Sequence, residues 1–183
     1  MAWTAPMTFV ANTVLTAAQM NTHLRDNLME TAPARATLPG SYFASAGLNQ
    51  IVERQGFRQT FTDSCTSTST SYGDPETGTV GPSVTVTTGV HALVIFGAEM
   101  LRTTDASNTN TIRTSVDVSG ASTIAATDTR SLCNATPGQG RHQSSHAVWY
   151  DDLTPGENTF KLVYRVSALT GQWDSRRIIV LPF

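Results

Sequence analysis

Alternation between apolar and polar residues recurs along most of the chain and predicts β-strands. Such segments either alternate with a period of two, as in a strand with one covered face, or form a short apolar run, as in a strand covered on both faces. The segments are residues 57–63, 83–89, 91–100, 111–120, 147–153, 158–167 and 176–183. Turns rich in Gly, Pro, Asp and Asn separate them. The pattern predicts a mainly β fold of roughly eight strands, an antiparallel β-sandwich of the jelly-roll type.

The last two segments carry the clearest strand signals. Residues 154–157 read Thr-Pro-Gly-Glu, a tight-turn sequence, and the alternating apolar positions that follow are Phe160, Leu162, Tyr164 and Val166. Apolar residues then continue from Ile178 to Phe183. Because free termini fray unless they are held, we expect this final strand to lie in the centre of a sheet or to face a symmetry axis.

One stretch near the front has the period of a helix instead. Thr16 and Gln19 have the spacing of a capping box, in which each side chain bonds the backbone N–H of the other residue. The apolar positions that recur every four residues are Met20, Leu24 and Leu28. The helix is expected to end near Glu30, before the breaker at Pro33.

The arm before this helix is extended and apolar, with large side chains at Trp3, Phe9, Val10 and Val14. An arm of this kind cannot cover its own side chains, and a helix of about fourteen residues is marginal in water by itself. Three docking surfaces remain open: the chain's own sandwich, the same helix of sister subunits, or another protein.

Proline and small residues mark a boundary behind the helix. The predicted organisation is an anchoring arm and helix over residues 1–31, a linker over residues 32–41, and a β-sandwich body over residues 42–183.

The composition excludes some classes of binding partner. Charged residues make up 14% of the 183 residues, and the formal net charge is −2. Neither nucleic acid nor an anionic membrane surface is expected as a partner, because both require a basic face. The N-terminus lacks the features of a signal peptide, so synthesis in a cytoplasm without general export is expected. In that compartment Cys65 and Cys133 are expected to be free thiols.

The sequence carries few signals for catalysis or cofactor binding, and it predicts neither an enzyme activity nor a cofactor. The sequence has no nucleophile elbow, phosphate-binding loop, HExxH or CxxC motif. His142 and His146 would share a strand face, but no further ligand at suitable spacing completes a metal site. The loop around Asp105 has oxygen-bearing side chains without the order of an EF-hand.

Aromatic residues beside acids raise a carbohydrate-binding alternative. Trp149 and Tyr150 precede Asp151 and Asp152, and Trp173 is a third exposed-ring candidate. Rings of this kind can stack on sugars, although neighbouring strand residues point to opposite faces. A glycan hydrolase would need two carboxylates about 5–10 Å apart across one cleft.

The segment WTAPMTFVANTVLTAAQMNTHLRDNL, residues 3–28, resembles the opening of small virion structural proteins of tailed bacteriophages with high-GC hosts. In those proteins a W-T-x-P start and a T-A-A-x-x-N-T-H-L-R-D-N-L helix precede varied surface domains. The C-terminal half, from Leu153 onward, is similar in pattern to the jelly rolls of phage fibre and head-decoration proteins. These in turn look like the trimeric C1q and tumour-necrosis-factor sandwich.

This resemblance implies a minor tail, fibre or capsid decoration protein located in the virion. Its implied partners are other virion proteins and two further copies of the chain in a homotrimer, and host-surface glycans for a fibre. The alternative function is a carbohydrate-binding module recognising such glycans. The residues expected to make anchoring contacts are Trp3, Phe9, Val10, Val14, Met20, Leu24, Arg25, Asp26 and Leu28.

Overall fold

The fold is described from a computed structural model, which covers residues 8, 14–26, 36–47, 50–102, 110–135 and 140–183. The chain divides into two compact units, Met1–Gln55 and Gly56–Phe183. Each unit is described by itself below.

The first unit begins with the predicted helix. Helix α1 spans Ala17–Met20 and continues as a π-helical segment over Asn21–Asp26. The capping box is confirmed, because the Gln19 N–H donates to Thr16 Oγ1 at 3.2 Å and the Thr16 N–H donates to Gln19 Oε1 at 2.9 Å. None of the side chains in these two segments is buried. The predicted helix end near Glu30 lies outside the described residues.

A small hairpin completes the first unit. Strand β1 spans Tyr42–Gly47, strand β2 spans Gln50–Arg54, and the two pair antiparallel in a two-stranded sheet of their own. The predicted sandwich body begins at residue 42. The compact division instead falls after Gln55, because β1 and β2 bond each other and belong to neither sheet of the sandwich.

Within the described part of the chain, no helix is both long enough and apolar enough to span a membrane.

The second unit is a β-sandwich. Its strands are β3 Phe57–Phe61, β4 Cys65–Ser67, β5 Ser83–Thr88, β6 Ala92–Arg102, β7 Ile112–Gly120, β8 Ser131–Asn134, β9 Arg141–Tyr150, β10 Gly156–Val166 and β11 Gly171–Pro182. One sheet has the order β3-β11-β6-β9, with β4 also pairing β11, and the other has the order β5-β10-β7-β8. All the pairings are antiparallel.

This strand order confirms the predicted mainly β fold, an antiparallel sandwich of the jelly-roll type. The chain crosses from one sheet to the other at most of its connections; β3 and β4 stay in one sheet, and β7 and β8 stay in the other. Strand β11 lies between β3 and β6, which confirms the expectation that the final strand is central.

The core lies between the sheets and is built from the alternating positions seen in the sequence. Phe160, Leu162, Tyr164 and Val166 on β10 are all fully buried. The Trp173 ring from β11 packs against the Tyr164 ring with a centroid separation of 5.0 Å. Burial of large apolar side chains contributes about 1.5–3 kcal/mol each, so this layer holds the two sheets together.

Strand β11 contains a bulge. Asp174 pairs with Glu99 and Arg177 pairs with Gly97, so β11 carries one residue more than β6 over this interval. Ser175 has a φ of 47° within it. The bulge resets the alternation along β11, and Arg176 becomes fully buried while Arg177 is exposed.

Candidate functional site

The outer face of the β3-β11-β6-β9 sheet is apolar over part of its area. Leu93 on β6 lies opposite Leu181 on β11 and Trp149 on β9. One row further along, Ile95 lies opposite Ile179 and Ala147. Residues paired across strands point to the same side of a sheet, and here that side faces away from the core, because the alternate residues of β6 are the buried ones. We call these six side chains the apolar face.

The other end of the same outer face is polar. Arg141 Nη1 lies 2.5 Å from Glu99 Oε1 and 3.1 Å from Asp174 Oδ2. The hydrogen bond from Arg141 to Glu99 raises the pKa of the arginine above its usual value. The Arg177 guanidinium bonds Ser145 Oγ at 3.1 Å. The apolar face is therefore bounded by charged residues at one end.

The second sheet has an outer face of different chemistry. Its outward positions on β5 and β10 include Thr85 and Thr159, whose hydroxyl oxygens lie 2.8 Å apart. Lys161 and Arg165 follow on β10. The two outer faces therefore differ: one is polar, and the other carries the two rows of the apolar face.

Trp149 lies at the margin of the apolar face. Its side chain is 51% exposed, and its ring stacks on His91 at a centroid separation of 5.5 Å. The Phe183 ring lies against it at 5.3 Å. These neighbours hold the indole ring in place while leaving half of it accessible.

The other two proposed glycan platforms are wrong. Tyr150 is 3% exposed and Trp173 is 0% exposed, so neither ring can stack on a sugar. The reason is the alternation of side chains along a strand: Tyr150 points into the core, where it packs edge-on against Phe160 at 5.8 Å. Trp173 fills the space beside Tyr164.

The predicted anchoring residues in the described part of the first unit are accessible. Val14 is 89% exposed, and Met20 and Leu24 are exposed as well. Arg25 pairs with its neighbour Asp26, with 2.8 Å between Nη2 and Oδ1. The remaining anchoring residues, Trp3, Phe9, Val10 and Leu28, lie outside the described residues.

A cavity of about 680 Å³ lies on the polar outer face, over β10 and β7. Sequence reasoning missed it. The side chains that matter for its chemistry are Tyr72, Asp74, Asp117, Asp128, Lys161 and Arg165. We call this cavity the polar pocket. Its size falls within the range of about 300–1,000 Å³ typical of ligand sites.

Ion pairs organise the polar pocket. Asp128 Oδ1 accepts hydrogen bonds from Arg165 Nε at 2.9 Å and from the Tyr72 hydroxyl at 2.9 Å. The bond from Arg165 lowers the pKa of Asp128. Lys161 Nζ lies 2.6 Å from Asp74 Oδ2. These contacts hold the Asp128 and Asp74 carboxylates in place.

No metal site is found among the described residues. His142 and His146 do share a face of β9, opposite Met100 and Phe96 respectively. Within the described ranges, however, no three His, Cys, Asp or Glu side chains are grouped closely enough to hold an ion. Both cysteines are free, as expected, with Cys65 buried and Cys133 exposed.

Comparison of the sequence with protein-family models and with curated proteins found no match. Three features of the chain itself bear on its function. They are the exposed capped helix, the apolar face and the polar pocket.

Proposed function

We propose that this chain is a non-enzymatic structural component of a tailed-bacteriophage virion. In this proposal the N-terminal arm and helix anchor the chain to another virion protein, and the β-sandwich is displayed on the particle surface. The observation that carries the proposal is the capped helix at residues 17–26, whose apolar side chains remain exposed within a motif that resembles phage virion proteins.

The energetics of this helix support a docking role. A helix of ten to fifteen residues gains little stability from its own hydrogen bonds in water. Met20 and Leu24 lie four residues apart on one face and are about half exposed. Each would contribute about 1.5–3 kcal/mol on full burial, so a groove on a virion protein would stabilise both the helix and the complex.

We further propose that the sandwich assembles as a homotrimer through the apolar face. Two adjacent apolar rows lie on the outer face of one sheet, whereas the outer face of the other sheet is polar. The rows are formed by Leu93, Ile95, Ile179 and Leu181. A second and third copy would cover these rows with like surfaces, since the same patch on each copy has matching chemistry. The likeness to the trimeric C1q and tumour-necrosis-factor sandwich favours three copies.

Deletion of residues 1–30 tests the anchoring role. We expect the truncated chain to remain folded and soluble but to be missing from purified particles, because its docking segment is gone. The point variants Met20→Gln and Leu24→Gln in the full chain should reduce incorporation, whereas Asn21→Gln, a control on the same helix, should not.

Normal incorporation of the truncated chain would reject the proposal. Electron microscopy of particles labelled with an antibody against the sandwich gives the location. Label on the tail would assign a minor tail or fibre protein, and label on the head would assign a capsid decoration protein.

A further inference from the structure

The walls of the polar pocket are two loop segments held against the edges of the sheet. Residues 70–74 run beside the second half of β10, where the Gly73 N–H donates to Tyr164 O at 3.2 Å and the Tyr164 N–H donates to Gly73 O at 2.9 Å. Residues 124–128 run beside β7, with Ile124 and Val118 exchanging backbone hydrogen bonds of 3.0 and 2.9 Å. The Ser115 hydroxyl also donates to Thr127 O at 3.2 Å. The pocket is therefore preformed, and a ligand would not have to order its walls.

The floor of the polar pocket is the outward face of β10, with an apolar centre between two charged positions. Val163 lies between Lys161 and Arg165 along the strand, and all three line the cavity. At the Arg165 end, the hydrogen bond from Tyr72 to Asp128 joins the two walls and closes the groove.

At the other end, Lys161 has one carboxylate in contact and a second on the neighbouring strand. Asp117 lies directly opposite Lys161 in the pairing of β7 with β10. Asp74 contacts the Lys161 ammonium from the loop wall at 2.6 Å. This end therefore presents one ammonium group and two carboxylates, and all three side chains line the cavity.

The charges of the polar pocket nearly cancel. Asp74, Asp117 and Asp128 carry negative charges, and Lys161 and Arg165 on the floor carry positive charges. Arg113 supplies the third positive charge, with its Nε 3.6 Å from Asp128 Oδ2. A charged ligand would find no excess of opposite charge here.

We propose that the polar pocket binds a neutral saccharide, through Asp74, Asp117 and Lys161 at its open end and Val163 beneath the sugar ring. A hydroxyl group both donates and accepts hydrogen bonds, so vicinal hydroxyls can donate to the two carboxylates while accepting from the ammonium. The apolar patch of a pyranose ring suits the valine floor. This goes beyond a virion structural role, and binding by purified protein does not depend on particle assembly.

The test is a glycan array carrying neutral hexose, N-acetylhexosamine, pentose and deoxyhexose termini beside sialylated and uronic acid glycans, probed with the full chain. The best neutral oligosaccharide is then titrated calorimetrically against Asp117→Asn, Asp74→Asn and Glu157→Gln. Glu157→Gln is the matched control, because Glu157 is an exposed carboxylate on β10 that does not line the cavity.

We expect selective binding of a neutral glycan that Asp117→Asn and Asp74→Asn each weaken at least about tenfold, since each removes a charge-assisted hydrogen bond. Glu157→Gln should bind as the unchanged chain does. Absence of any neutral glycan among the ligands, selective binding of acidic glycans, or equal effects of the pocket and control variants would overturn the proposal. Unchanged thermal unfolding of the variants would show that lost binding is not lost folding.

Discussion

Arg176 donates from Nη2 to Asp63 Oδ1 across 2.9 Å although its own side chain is fully buried. Nη1 also donates to Thr79 O at 2.7 Å, and the guanidinium lies over the Phe61 and Tyr164 rings at 5.6 and 6.0 Å. The bulge in β11 directs this side chain inward. Hydrogen bonds and opposite charge stabilise a buried cation; here oxygens of Thr79 and Asp63 accept from the two terminal nitrogens, and two aromatic rings flank the guanidinium.

We therefore predict that Arg176→Met destabilises the sandwich by about 2–3 kcal/mol, because it removes the hydrogen bonds that this charged donor makes to Asp63 and Thr79. Arg177→Met is the matched control, since Arg177 is exposed, and should change the free energy of unfolding by no more than about 0.5 kcal/mol. Equilibrium denaturation in urea measures both values. Equal effects of the two variants would show that the buried network is not a major source of stability.

Ile95→Lys should dissociate the proposed trimer, because it places a charge in the middle of the apolar face, where burial without a partner is unfavourable. Thr85→Lys puts the same side chain on the polar outer face and should leave assembly unchanged. Light scattering coupled to size exclusion measures the mass, with circular dichroism as the check on folding. A single-chain mass for the unchanged protein would contradict the trimer directly.

The two thiols should differ in reactivity. Burial raises the pKa of Cys65 to about 11, whereas Cys133 is exposed. The thiolate is the reactive species, so at pH 8 the native chain should release one equivalent of chromophore from a thiol reagent, and the denatured chain two. Cys133→Ser should remove the native reaction, and Cys65→Ser should leave it intact. Rapid modification of Cys65 in the native protein would contradict the buried position.

Glu53 should make the first unit sensitive to acid. Its carboxylate accepts hydrogen bonds from the Ser41 hydroxyl at 2.5 Å and from the backbone N–H groups of Thr37 and Leu38, each at 2.9 Å. These bonds, that from Ser41 foremost, lower the pKa of Glu53 from 4.5 to about 2.

Because the folded-state pKa is depressed, the stabilisation by this carboxylate is fully present above about pH 4.5 and is lost as the pH falls through about 2. Titration followed by NMR should give a midpoint near 2 for the Glu53 side chain, together with shifts of the Thr37 and Leu38 amides. In Glu53→Gln those amide shifts should be absent. A midpoint near 4.5 would mean that the hydrogen bonds do not persist in solution.

Alternation predicted the long strands because each lies between the core and an outer face. The pattern in residues 158–167 matches β10 closely, and the central place of β11 followed from its apolar end. The sequence indicated neither β4 nor β8, which are three and four residues long. The first half of β9, RHQSSH, was missed because its side chains are polar and it lies at a sheet edge, where few positions are covered.

The polar pocket could not be predicted from spacing. Asp74 lies far from Asp117 and Asp128 along the chain, and the register of β7 with β10 and the course of two loops bring all three to one cavity. A glycan-contact role was predicted for Trp149, Tyr150 and Trp173 because they are aromatic. Strand alternation then placed two of these rings inside.

The apolar face and the polar pocket belong to different sheets of one sandwich. If three chains close around an axis through their apolar faces, each pocket points away from that axis and remains reachable. Weak contacts to one flexible glycan with repeating units can then act together where that glycan reaches more than one pocket, and linked binding of this kind raises apparent affinity by about a hundredfold or more without any new contact. The apparent affinity for such a glycan would thus depend on the number of sites more than on the affinity of one site.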